Sequence, residues 1–173
     1  MSSARRRALG LAGALLILLM AGAWAHAAPR VRYDWPLAPR PALTRGFDPP
    51  AQRWLAGHRG VDLGAAPQSA VIAASAGRVR FAGSVAGRPT ISVLHPDQIA
   101  TTYEPVRAVV RTGDSVLRGQ VLGYLEPGHP GCPVAACLHW GARLGSGSSA
   151  RYLNPLALVG AVVVRLKPVG DWP

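Results

Sequence analysis

Two histidines and an aspartate have the residue types and spacing of a metal site: His58 and Asp62 within "GHRGVDLG", and His139 within "AACLHWGARL". Gly57, Gly60 and Gly64 argue against a helix around the first pair. On a straight strand the two side chains share a face but stand about 13 Å apart at about 3.3 Å per residue, too far to reach one ion. A bend near Gly60 would bring them together, and His139 would add a third donor. Imidazole, carboxylate and imidazole form the donor set of a catalytic zinc with its fourth position open to water. Each residue also has a plainer reading: a histidine capping a turn, an aspartate in a surface hydrogen bond, a histidine packed beside Trp140.

If the stretch around His139 is a β-strand, Cys137 shares its face, because side chains alternate with a period of two. Three states are open to that cysteine. It could pair with Cys132, the only other cysteine, in a small-loop disulfide. It could close a zinc shell as a fourth, thiolate ligand, or it could be a free buried thiol. The remaining histidines are His26 near the N-terminus, His95, and His129 in the flexible "EPGHPG" loop.

The elements that would position these residues read as β-structure. "VIAA" (71–74), "RVRFAGSV" (78–85), "TISVLH" (90–95) and "IATTYE" (99–104) each have strand length, and Val79 and Phe81 are expected on one face with Arg78 and Arg80 on the other. In "VVRTGDSVLRGQVLGYLEPG", Gly113-Asp114 and Gly119-Gln120 mark tight turns between short strands. No segment after the first 27 residues holds a long apolar stripe of helical period free of glycine and proline. The expected fold is therefore all-β, an antiparallel sheet sandwich.

Residues 1–27 read as a signal peptide or uncleaved anchor. Arg5, Arg6 and Arg7 precede a continuous apolar run from Ala8 to Ala25, and Ala25 and Ala27 have the spacing of a cleavage site. Residues 28–56 form a proline-rich extended arm with little regular structure, which Trp35, Leu37 and Phe47 could pin to a core. Residues 57–159 form the main domain, and 160–173 a C-terminal strand, with its run at 161–166, and a tail. The expected location is secreted or cell envelope, outside the cytoplasmic membrane. The chain's formal charge of +11 falls to about +8 without the three leader arginines. Such a basic exported domain is drawn to anionic wall polymers. Nucleic acid is excluded as a partner, since no aromatic-interleaved basic motif is present.

The segments "GHRGVDLGAAPQSAVIAASAGRVRFAG", "TTYEPV", "VRTGDSVLRGQVLG", "CLHWG" and "YLNPL" resemble, in order and spacing, the lysostaphin-type or LytM-like zinc metallopeptidases that cut peptidoglycan cross-links. The resemblance runs from about Trp35 to Leu158. It implies a β-sheet fold of the duplicated hybrid motif type, with an open groove and zinc on His58, Asp62 and His139. Two positions depart from the pattern. Cys137 stands where the family has the first histidine of an H-x-H pair, and Pro105, in "Tyr103-Glu104-Pro105-Val106", stands where it has the histidine of Y-x-H-L. Neither side chain can move a proton as an imidazole does, and a positioned acid or base is worth about 100- to 10,000-fold in rate.

Glu104 and His129 are the candidate substitutes. Glu104 is expected to face away from the site as the neighbour of Pro105, unless the proline bends the strand. Two functions follow from the resemblance. The first is a zinc metalloendopeptidase acting on peptidoglycan. The second is a catalytically degenerate domain that binds peptidoglycan or regulates a cell-wall hydrolase. "VRTGDSVLRGQVLG" also looks like the turn of a biotinyl or lipoyl carrier, but such carriers need a lysine at a hairpin tip, and the sole lysine, Lys167, lies near the C-terminus.

Overall fold

Short apolar runs interrupted by glycine and proline can bury a face only by pairing into sheets. The computed structural model of the protein describes residues 31–52 and 54–162. In chain order the strands are β1 (Ala42–Arg45), β2 (Gly60–Ala65), β3 (Ala70–Ile72), β4 (Gly77–Val85), β5 (Arg88–Leu94), β6 (Ile99–Glu104), β7 (Val106–Ala108), β8 (Ser115–Val116), β9 (Val121–Leu125), β10 (Ala136–Leu144) and β11 (Arg151–Leu153). The larger sheet runs β1-β2-β10-β6-β5-β4-β8, with β11 also on β10, and the smaller runs β3-β9-β7. All of these pairs are antiparallel. The fold is all-β, as the sequence implied.

Alternation along the central strands separates a core from a groove. Val61 and Leu63 of β2, Ile91 and Val93 of β5, Tyr103 of β6, and Leu138 and Trp140 of β10 are fully buried, and they cluster with Val71, Val106, Leu122 and Leu125 of the smaller sheet. Burying each aliphatic side chain contributes about 1.5–3 kcal/mol. A slip of one residue in β10 would turn Leu138 and Trp140 out of that core. The register is thereby fixed, and with it the other face, on which Asp62 and Glu104 both pair with His139.

Three features differ from the sequence expectation. The register shifts between Val79, opposite Val93, and Phe81, opposite Ser92. This bulge at Arg80 puts Phe81 on the groove side, 38% exposed, while Val79 stays in the core. The proline-rich arm, expected to have little regular structure, contributes β1, which pairs with β2, although it is pinned as expected, with Leu37 buried and Trp35 and Phe47 packed on the same core. No strand includes Ala161 or Val162; the rest of the 161–166 run, like the N-terminal leader and His26, lies outside the described residues.

The expected turns are present. Gly113 and Gly119 adopt φ of +98° and +81°, and Asp114 Oδ2 accepts from the Arg111 amide at 2.8 Å, in a backbone region open mainly to glycine. Among the described residues no helix is long and apolar enough to cross a membrane.

Candidate metal centre

Three donor atoms converge at one end of the groove. His58 Nε2 lies 3.0 Å from Asp62 Oδ1 and 3.1 Å from His139 Nδ1, and His139 Nδ1 lies 2.9 Å from the same Asp62 oxygen. A tetrahedral ion with ligands at about 2.0–2.1 Å spaces its donors by about 3.3 Å, so this triangle needs to open by only a few tenths of an ångström. The chemistry of the set fits as well. His58 Nδ1 is 2.6 Å from the Gly46 carbonyl, an acceptor, so Nδ1 carries the proton and Nε2 presents its lone pair. Burial disfavours the charged form of Asp62, but the His139 hydrogen bond and the neighbouring histidines outweigh it and hold the carboxyl below its ordinary range.

Each donor has a local reason for its place. His58 does not belong to β2: it forms a bridge with Asp48 of the arm. The chain then enters β2 at Gly60, so the two residues converge instead of standing a straight strand's length apart. A Cβ on Gly60 would meet the Trp140 carbonyl oxygen at 2.6 Å and His139 Nε2 at 2.7 Å. The glycine is required by that close approach. Thr44 of β1 donates its hydroxyl to the Asp62 carbonyl at 3.0 Å. Neither Gly46 nor Thr44 carried a sequence signal, because their contacts to the site span more than ten residues of irregular chain.

Cys132 and Cys137 form a disulfide, which removes the thiolate-ligand and free-thiol states. It ties the 126–135 loop to β10 two residues before His139, and the loop carries His129 into the site. The His129 ring stacks on that of His139, with centroids 5.6 Å apart and planes within 6°. Its Nε2 is 3.6 Å from Asp62 Oδ1, beyond hydrogen-bond reach. His129 Nδ1 is buried without a hydrogen-bond partner. Burial holds its imidazole below the ordinary value despite the nearby Asp62 carboxylate.

Glu104 is on the groove side, contrary to the expectation that it turns away. It pairs with His139 across the β6–β10 ladder, and it is Tyr103 that enters the core. Its carboxylate is engaged, accepting from Arg88 Nε and, at 2.8 Å, from the Thr90 hydroxyl. The chain leaves the large sheet for the small one at Pro105, whose side chain offers no polar atom. His95 lies apart from the site. It is 1% exposed, with Nδ1 2.8 Å from the Ala76 carbonyl and Nε2 2.8 Å from the Thr101 hydroxyl.

The arrangement can hold a divalent metal ion on three side chains, with an imidazole beside it and an open groove leading to it. Residues 56–155 match the model of peptidase family M23. Uncharacterized proteins of Mycobacterium bovis and Mycobacterium tuberculosis are 47% identical over 166 residues, covering 96% of this chain and 67% of theirs. The structure resembles Csd3 of Helicobacter pylori with a TM-score of 0.58 at 24% identity, over 79% of this chain and 37% of that one. It resembles the catalytic domain of the antimicrobial peptidase lysostaphin from Staphylococcus simulans with a TM-score of 0.58 at 24% identity, over 69% of this chain and 92% of that one. At such identities the two structures bear on the fold, which they share with this protein. On the match over 56–155, with the all-β fold around the three converging side chains, the chain belongs to peptidase family M23.

Proposed function

We propose that this protein is an exported zinc metalloendopeptidase directed at peptidoglycan cross-links, with zinc on His58, Asp62 and His139 and with His129 in the part of the imidazole that Cys137 replaces. The observation that carries this reading is the triangle of donors 2.9–3.1 Å apart with His129 stacked beside it. Zinc bound there would lower the pKa of a water to about 7 and polarise the scissile carbonyl. The chain's own residues do the rest. The Gly46 carbonyl fixes the His58 tautomer, the Asp62 carboxylate is kept ionised by its histidine neighbours, and the disulfide restrains the loop that presents His129. Glu104 is committed to Arg88 and Thr90, so His129 is the better candidate to hold a proton or a developing negative charge.

The basic leader, its apolar run and the disulfide support export to an oxidising compartment. The positive charge of the remaining chain supports contact with anionic wall polymers. Cys137 and Pro105, in the slots of two family histidines, favour the alternative of a degenerate domain that binds peptidoglycan or regulates a hydrolase. Metal analysis of the purified chain after equilibration with zinc tests the site. One equivalent is expected in the wild type and in His129→Ala, and almost none in His139→Ala; a wild type that holds no zinc would refute the metal reading in both forms.

A further inference from the structure

The groove does not end at the metal centre. A cavity of about 320 Å3 contains His58, His129 and His139, and a larger one of about 530 Å3 extends from it over the open face of the large sheet. Arg59, Arg88, Glu104 and His139 line both, so the two are continuous. The charge of the larger arm is one-sided, with Arg59, Arg80, Arg88 and Arg143 against the single carboxylate of Glu104. Arg88 already neutralises that carboxylate. Arg80 and Arg143 make no ion pair among the described residues.

The fold aims both of these arginines into the groove. Arg143 lies four residues beyond His139 on β10 and shares its face, about 13 Å along the strand at about 3.3 Å per residue. Arg80 sits at the β4 bulge, where the additional residue departs from simple alternation. Between them Ser92, Thr102 and Gly141 form a small, polar floor, and Phe81, Val85 and Tyr152 provide apolar walls. Guanidinium groups match carboxylates in a planar, two-bonded fork. The apolar walls suit a peptide better than a phosphate polymer.

We infer that this arm of the groove is a carboxylate-recognising subsite, built by Arg80 and Arg143, for an extended peptide whose free carboxylate lies three to four residues from the bond placed at the metal centre. The inference rests on the peptidase reading for the direction of the substrate. It makes the preferred substrate an acidic peptide and disfavours uncharged bridges such as oligoglycine.

The test is calorimetric titration of the full exported chain, stripped of metal, with an acetylated alanine-based hexapeptide carrying two glutamates and with its glutamine counterpart. The acidic peptide is expected to bind at least about tenfold more tightly, as charge-assisted hydrogen bonds require. The Arg80→Gln/Arg143→Gln double variant should bind the two peptides with equal affinity. Equal affinity for the two peptides, or a preference that survives in the double variant, overturns the subsite. So does displacement of the acidic peptide by inorganic polyphosphate of equal affinity, which would assign the arginines to a phosphate polymer. Because binding is measured without metal, failure of hydrolysis leaves the subsite standing. Hydrolysis without discrimination removes the subsite and leaves the metal reading intact.

Discussion

With Cys137 bound to Cys132, the imidazole beside His139 and outside the donor triangle is that of His129, brought there by a loop and not by a strand. A positioned acid or base contributes about 100- to 10,000-fold, so His129→Ala should lower the rate of peptide hydrolysis by at least about 100-fold while zinc content is unchanged. Comparing initial rates with metal content in the same preparations checks this. A second residue gives a pH signature unrelated to the metal. Burial holds His95 below its ordinary value of 6.5, although the Ala76 carbonyl pulls the other way. The unfolded chain therefore takes up a proton below about 6.5 that the folded chain refuses until its lower value is reached. Stability should be full above that pH and fall as pH drops through the interval; thermal midpoints should show this in the wild type and a flatter dependence in His95→Asn. His58, Asp62 and His139 could be named together because they make a three-donor set and because they fall at the positions that the family resemblance implies. His129 was named among the candidate substitutes, but its stacking on His139 was not legible, because nothing in "EPGHPG" says where a proline- and glycine-rich loop will fold.

At the scale of elements, β10 organises the site. Its pairing with β2 and β6 sets Asp62, His139 and Glu104 in one row, and its core face, with Leu138 and Trp140, fixes that register. The disulfide fastens the loop to the start of this strand. Replacing both cysteines with serine should cost about 2 kcal/mol, the chain-entropy value for a loop this short. It should also release His129 and lower hydrolysis toward the level of His129→Ala, with zinc retained. Denaturant unfolding read alongside the rate assay distinguishes this from general unfolding, since a chain that binds one zinc with full affinity is still folded. The strand "IATTYE", which is β6 itself, was legible from its length, but side-chain alternation was a weaker guide. It failed at Arg80, where a bulge reverses the sides without any change in composition, and at Glu104, whose side follows from its pairing with His139 rather than from its neighbour Pro105.

Over the whole molecule, two antiparallel sheets share one core and leave the outer face of the larger sheet open as a groove that ends at three converging donors. The all-β class followed from short runs punctuated by glycine and proline. The anchoring of the arm through Trp35, Leu37 and Phe47 was legible too, but its pairing as β1 and the Gly46 contact were not, because they act on residues more than ten positions away. We propose, as the central claim, that this groove hydrolyses peptide bonds through a metal ion held by His58, Asp62 and His139. It is tested most directly by incubating the zinc-loaded chain with purified peptidoglycan and measuring soluble peptide fragments, before chelation, after it, and after zinc is restored. Fragments that appear with zinc, stop with the chelator and return with added zinc are the predicted result. A chain carrying one equivalent of zinc that releases no fragments would contradict it.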